Sequence, residues 1–272
     1  MNEAPSRPRP RGRPRTVSTG ETVSAPIKAL DRGMVLLRSL ADEDRATLTN
    51  IALETGMTPS SAYRILVTLE RHGLVEFDEG TQEWSVGIEA FRVGRKYLAR
   101  TGLVEIARPS MRALMQVTDE TANLAMADRD DVVFVAQVES RHPVRAFFEA
   151  GARGHMHASG IGKALLAAYE PSALDAFVET KGLPRFTERT LVSTPDLQAD
   201  LARVRERGWS LDDEEGHAGM RCLAAAIRDD QGRVVAGVSI SGPSARFPDT
   251  ALDALAAHVV TAAADITRRY GG

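Results

Sequence analysis

Residues 48–73 read LTNIALETGMTPSSAYRILVTLERHG. The pattern predicts a short helix over Thr47 to Thr55 that Gly56 stops. Met57-Thr58-Pro59-Ser60-Ser61 combines a turn with capping residues. Ser61 to His72 is a second helix, with Ala62, Ile65, Leu66 and Leu69 facing inward and Gly73 ending it. Helix, Gly-containing turn and helix is the spacing that carries a second helix into a DNA major groove. Its first turn exposes Thr58, Ser60, Ser61, Tyr63 and Arg64. These hydroxyls and one guanidinium suit phosphate and base-edge contacts. The rival reading is a helical hairpin that binds no DNA, with Arg64 in a surface ion pair to Glu70 or an acidic loop residue.

Upstream, Ile27, Leu30, Met34, Leu37 and Leu40 recur at helical spacing and predict a helix from Pro26 to about Ala41. Ser24 is its expected N-cap, and Pro26 suits the first turn. Downstream, Leu74–Phe77 and Thr81–Val86 flank Asp78-Glu79-Gly80 as a two-strand hairpin. Three helices and a hairpin make a winged helix-turn-helix. Ahead of it, residues 1–24 are rich in Pro, Arg, Ser and Thr and have too few large apolar side chains to fold alone. Within them Arg11-Gly12-Arg13-Pro14-Arg15 resembles the core of an AT-hook, in which arginines enter a narrow minor groove. Arg11 and Arg13 are therefore candidate DNA contacts. The alternative is a basic tail that touches phosphates unselectively.

Leu48-Thr49-Asn50-Ile51-Ala52, Thr55-Gly56-Met57, Ser60-Ser61-Ala62-Tyr63-Arg64-Ile65-Leu66 and Thr68-Leu69-Glu70 together resemble the helix-turn-helix of the IclR family of bacterial transcription regulators. Leu74-Val75 continues the pattern. Trp84-Ser85-Val86-Gly87 resembles the family's wing exit, with the usual aromatic–Arg–Leu–Gly altered. The resemblance covers about residues 25–265. It implies an α+β chain: a winged helix-turn-helix DNA-binding domain at 25–87, a linker helix at 88–104 and a GAF-like effector domain with an antiparallel sheet at 105–272. It implies a double-stranded operator, a small-molecule effector, and a homodimer or a dimer-of-dimers tetramer.

The residues themselves support the second domain. Gly87 to Leu103 is helical, with Ile88, Phe91 and Leu98 on one side, Gly94 between them and Tyr97 flanking. Ile106–Thr118 is a helix with Leu114 and Val117 facing inward. Thr121–Met126, Asp131–Val138 and Val144–Phe148 read as strands, with a turn at Asp128–Asp130. Helices follow at Ser172–Lys181 and Thr194–Arg207, the second capped by Thr194. Trp209–Asp212, Arg221–Arg228 and Val234–Ser241 are strands, the last two joined by a hairpin turn at Asp229–Gly232. Pro248–Arg269 closes the chain as an Ala-rich helix. Helices against an antiparallel sheet are α+β.

The 272 residues are 43% hydrophobic, enough for well-filled cores. No apolar run approaches the roughly 18 residues that span a bilayer, and the Arg-rich start is no secretory signal. A single cysteine, Cys222, excludes an internal disulfide framework and suits a reducing cytoplasm. Residues 1–100 carry 15 Lys and Arg against 13 Asp and Glu, whereas residues 101–272 carry 19 against 24. With five arginines in the first 15 residues, the positive charge is local, which points to a localised polyanion contact.

Residues 154–168, GHMHASGIGKALLAA, enter an apolar helix through small residues, with Ser159 as N-cap. Such a start offers unpaired N–H groups and the positive end of the helix dipole to an anion. Without a ligand, the same stretch is a capped helix on a sheet. Four side chains are candidates to face Gly160 and Ile161: Asp212 at a strand end, Cys222 at the start of the next strand, and Ser239 and Ser241, two apart and so on one face. In spacing, Asp212, Cys222, Ser239 and Ser241 match the effector-contacting pattern of the family's glyoxylate-responsive members, of the allantoin-utilisation repressor type. The resemblance implies an effector site at Gly160, Ile161, Asp212, Cys222, Ser239 and Ser241.

The chemistry fits a very small 2-oxo acid, glyoxylate first and pyruvate second. Backbone N–H groups and a Ser hydroxyl hold the carboxylate, and an ionised Asp212 accepts from the hydroxyls of a hydrated aldehyde. An aromatic effector wants a larger apolar pocket, and aromatic residues are 5% of the chain. Each residue has a plainer reading: Asp212 as a solvated strand end, the serines as core hydroxyls bonded to backbone, Cys222 as packing. His155 and His157 have no fixed metal motif with Glu214 or His217, so no metal and no cofactor are expected. A Cys222 nucleophile lacks a local base signature, and a Cys222 redox sensor needs a low-pKa thiol. A regulator rather than an enzyme is the expectation.

Overall fold

The computed structural model describes residues 26–146 and 148–271, with the side chains of 98–101 left aside. Ser24, Arg11 and Arg13 lie outside the described residues. The described residues form two compact units, divided between Gly94 and Arg95.

The first unit contains α1 (Lys28–Ala41), β1 (Ala46–Thr47), α2 (Leu48–Glu54), α3 (Pro59–Arg71), β2 (Val75–Asp78) and β3 (Glu83–Val86), and the start of α4 (Ile88–Thr101). Thr47 caps α2 by accepting from Asn50 N, and Thr58 caps α3 by accepting from Ser61 N with Pro59 behind it. The α3 helix therefore starts two residues earlier than Ser61, because Pro59 is pre-set for a first helical turn. Gly56 joins the two helices at φ +63°, a left-handed conformation that favours glycine. Leu36, Leu40, Ile51, Ala62, Leu66, Val75 and Trp84 close one small core. The strands pair antiparallel in the order β1-β3-β2, from Val75 opposite Val86 to Asp78 opposite Glu83.

The second unit adds α5 (Leu103–Thr118), β4 (Thr121–Asp128), β5 (Asp131–Val138), β6 (Arg153–His155), α6 (Gly160–Leu166), α7 (Pro171–Lys181), α8 (Thr194–Arg207), β7 (Ser210–Asp213), β8 (Met220–Arg228), β9 (Val234–Pro243) and α9 (Leu252–Gly271). Its antiparallel sheet runs β6-β5-β4-β9-β8-β7. Both faces are covered, so the central strands are apolar nearly throughout. Leu223, Ala225, Val238 and Ile240 pack on α5 and α9 through Met111, Leu114, Val259 and Ile266. On the other face Ala224, Phe134 and Ala125 meet Ile161, Leu165, Leu166, Leu174, Phe177, Leu197 and Leu201.

Two further local expectations differ from the structure. The described residues of the stretch 144–148 are not in a strand: the edge beyond β5 is taken by β6, with Asp131 opposite His155 and Val133 opposite Arg153. The Val144 carbonyl accepts from Arg246 Nη1 at 3.0 Å instead of from a neighbouring strand. Ser193, not Thr194, caps α8, accepting from Asp196 N at 3.2 Å. Among the described residues no helix is long and apolar enough to cross a membrane.

Candidate functional site

The β8–β9 register sets Cys222 opposite Ser241 and Ala224 opposite Ser239. The β7–β8 register sets Asp212 opposite Cys222. Alternation along each strand then turns Asp212, Cys222, Ser239 and Ser241 towards the same face as α6. There they line a cavity of about 240 Å³ together with Gly160 and Ile161. The six residues singled out from the sequence are thus brought together. The helix begins at Gly160, and Ser159 caps it, its Oγ accepting from Gly162 N at 3.1 Å. The Gly160 carbonyl is fixed by Ser210 Oγ at 2.6 Å.

The polar floor is built as follows. Ser239 is fully buried, and among the described residues its hydroxyl has no oxygen or nitrogen partner, only the Cys222 thiol facing it. Ser241 accepts from Asn123 Nδ2 at 3.3 Å, and Asn123 Oδ1 accepts from Gln137 Nε2 at 2.9 Å. This relay across three strands orients the Ser241 hydroxyl. Asp212 Oδ1 accepts from Glu215 N at 2.7 Å and from Gly216 N at 3.3 Å, closing a tight turn. Burial, with Glu215 close by, pushes the Asp212 carboxyl up to about 7. Asp212 therefore does not stay fully ionised at neutral pH, as the sequence reading assumed. Near neutrality it can donate as well as accept. Burial, then the Asp212 charge, pushes the Cys222 thiol up to about 11, although Ser241, Ser239 and Gly160 N face it. Such a thiol is mostly un-ionised at neutral pH.

The upper part of the cavity is apolar and was not anticipated. Phe134, Phe148 and Phe186 line it, and the Phe134 and Phe148 rings stack at 4.3 Å. Aromatic scarcity in the whole chain therefore says nothing about this cavity. Phe186 stands against His155 at 4.5 Å. Its loop is tied down by Thr187 Oγ1 to the Glu214 carbonyl and Thr190 Oγ1 to the Glu215 carbonyl, both at 2.7 Å. His155 and His217 reach the cavity wall. His157 instead turns Nε2 to the Pro184 carbonyl at 3.0 Å, and burial lowers its pKa. Among the described residues no group of His, Cys, Asp and Glu could hold a metal ion. Asn123 and Gln137 had one signal in the sequence, a polar residue inside an otherwise apolar strand.

On α3, Ser60, Tyr63 and Arg64 are exposed and Ser61 is half-buried. The Thr58 hydroxyl is committed to the cap and to Ser61 Oγ at 3.0 Å, so its first duty is to the helix. Among the described residues Arg64 makes no ion pair with Glu70 or any other acid. The hairpin tip carries Asp78, Glu79 and Glu83, with Arg45 Nη1 on Asp78 at 2.8 Å.

Residues 29–79 match the family described as the IclR helix-turn-helix domain, and residues 95–268 match the bacterial transcriptional regulator IclR C-terminal domain. The chain is 46% identical over 261 residues to the HTH-type transcriptional regulator BhcR of Paracoccus denitrificans, covering 95% of this chain and 94% of that one. It is 37% identical over 268 residues to the transcriptional repressor IclR of Escherichia coli, covering 97% of each. Its fold is that of an IclR homolog from Microbacterium hydrocarbonoxydans solved with 4-hydroxybenzoate. The TM-score is 0.79 at 22% identity, over 89% of this chain and 98% of that one.

Proposed function

The chain belongs to the IclR family of bacterial transcriptional regulators, and on that premise we propose that its effector is a small 2-oxo acid, glyoxylate before pyruvate, held at the Gly160–Ile161 floor of the cavity. The protein is a ligand-responsive regulator and not an enzyme. Ser239 carries the effector reading. A fully buried hydroxyl that meets only a weakly bonding thiol costs up to about 1–3 kcal/mol unless something satisfies it. A carboxylate seated between Ser239 and the first-turn amides of α6 would satisfy it. Ser241 and Asp212 then face the aldehyde or its hydrate, and Cys222 packs beside it.

DNA contacts fall to α3, with Arg64, Tyr63 and Ser60 towards the duplex and Thr58 and Ser61 at the helix start, because the acidic hairpin tip would be repelled by phosphates. Arg11 and Arg13 add minor-groove contacts from the arm. A two-fold operator needs two recognition helices, so we assign a homodimer or a dimer of dimers. Exposed Leu30, Met34, Ile88 and Phe91 supply apolar surface for it. The covalent route between sensing at 105–272 and binding at 25–87 is the segment 88–104, and the regulator works in the cytoplasm beside the DNA.

Calorimetric titration of the full-length protein tests the effector. Glyoxylate should bind, with pyruvate weaker. No heat with glyoxylate alongside clear binding of 4-hydroxybenzoate would favour a second reading, an aromatic carboxylate stacked on Phe134 and Phe148.

A further inference from the structure

Lys163 lies three residues past Gly160, yet it does not line the cavity. It is almost wholly buried, with Nζ at 2.5 Å from Glu215 Oε1 and 2.9 Å from Asp200 Oδ2. Glu215 Oε1 also accepts from Asp213 N at 3.3 Å. The turn at residues 212–216 is thus held at both ends: by Asp212 Oδ1 on the Glu215 and Gly216 amides, and by Lys163 on the Glu215 carboxylate. Stripping water from an ammonium and two carboxylates costs several kcal/mol per ion before their pairing offsets it. A turn of this kind needs no such charges merely to close.

We propose that the buried Lys163–Glu215 pair positions Asp212 and sets its proton occupancy, so that effector binding takes up a proton and weakens as pH rises above neutrality. The inference rests on the small-carboxylate reading above. The groups acting on Asp212 are Glu215 on its own turn, Lys163 from α6 and Cys222 from β8; Asp200 from α8 shares Lys163, and His155, His217 and Arg153 line the same cavity. Burial and then the Glu215 charge raise the Asp212 carboxyl, Lys163 and the Glu215 and Gly216 amides lower it, and it comes to about 7. A bound carboxylate places a second negative charge beside Asp212 and favours its neutral form. Below neutrality Asp212 is already protonated, and affinity is level. Above neutrality the free protein must take up a proton to bind, and affinity falls by up to about tenfold per pH unit. Lys163 and Glu215 act only through Asp212 and are positioning residues.

The test is calorimetric titration of full-length protein with glyoxylate, an anion throughout, from pH 6 to 9. Wild type should lose affinity from about pH 7 upward. Glu215→Gln should move that onset to lower pH, and Lys163→Met to higher pH. A merely structural pair would not shift the onset in opposite directions. His155→Gln and His217→Gln should leave it in place. Glu215→Gln is nearly isosteric and carries the test alone if Lys163→Met does not fold. Wild-type affinity that is level across the range, an onset unmoved in Glu215→Gln, or an onset abolished by a histidine variant overturns the inference. No binding of glyoxylate by wild type at any pH refutes the effector reading itself.

Discussion

Gly160 and Cys222 are in backbone-to-sulfur contact: a Cβ at Gly160 would stand 2.7 Å from Cys222 Sγ and 3.2 Å from the Cys222 carbonyl oxygen. The first turn of α6 can lie on β8 only because no side chain intervenes. Gly160→Ala should keep the fold but displace the floor, at a cost of about 1–3 kcal/mol. Glyoxylate affinity should drop about tenfold or more, and Gly160→Ala/Cys222→Ala should recover part of it. Unchanged affinity in Gly160→Ala, measured by calorimetry, would remove the floor from the site.

Cys222 should react slowly. With its thiol pushed from 9.0 up to about 11, the thiolate fraction at neutral pH is lower by roughly 100-fold. Alkylation by iodoacetamide, followed by mass spectrometry, should be far slower than that of a free cysteine. Reactivity above that of a free thiol would restore the redox-sensor alternative.

Asp212 should be held at the expense of stability. Its folded-state carboxyl titrates near 7 against an ordinary 3.8. The folded state therefore binds the proton more tightly than the unfolded chain, and stability is lost as pH rises from about 4 to 7. At pH 8 the loss is at most about 4 kcal/mol. Asp212→Asn should raise Tm more at pH 8 than at pH 5 and should remove the pH dependence of effector binding. An equal change in Tm at both pH values would show that Asp212 is not held in this state.

Arg64 and Thr58 should separate DNA binding from folding. Arg64→Ala should weaken operator binding by about 1–3 kcal/mol with little change in Tm. Thr58→Ala should cost about 1 kcal/mol of stability through the lost cap of α3. Anisotropy with labelled operator and thermal melts read the two separately; the reverse pattern would move the contact from Arg64 to Thr58.

The helix-turn-helix was legible because its signals are local: apolar residues at helical spacing, Gly56 as a stop and capping residues in the turn 57–61; that Thr47 is a cap and Pro59 a first helical residue came only with the structure. The floor was legible because Ser239 and Ser241 share a strand face and Ser159 caps the helix that meets them. The rest depends on tertiary placement. Val144–Phe148 has a strand-like composition, but residues 153–155 occupy the edge beyond β5. Phe186 reaches the cavity because Thr187 and Thr190 find carbonyls at Glu214 and Glu215, a pairing no local pattern announces. The state of Asp212 is set by burial and by Glu215 rather than by its place in an acidic run.

The most direct test measures the affinity of the full-length protein for DNA from upstream of its own gene, with and without saturating glyoxylate, for wild type and Ser239→Ala. Wild-type affinity should change about fivefold or more, whereas Ser239→Ala should bind the DNA equally well without glyoxylate and lose the response. Wild-type DNA affinity that glyoxylate leaves unchanged, or a Ser239→Ala variant that responds as wild type does, would contradict the account.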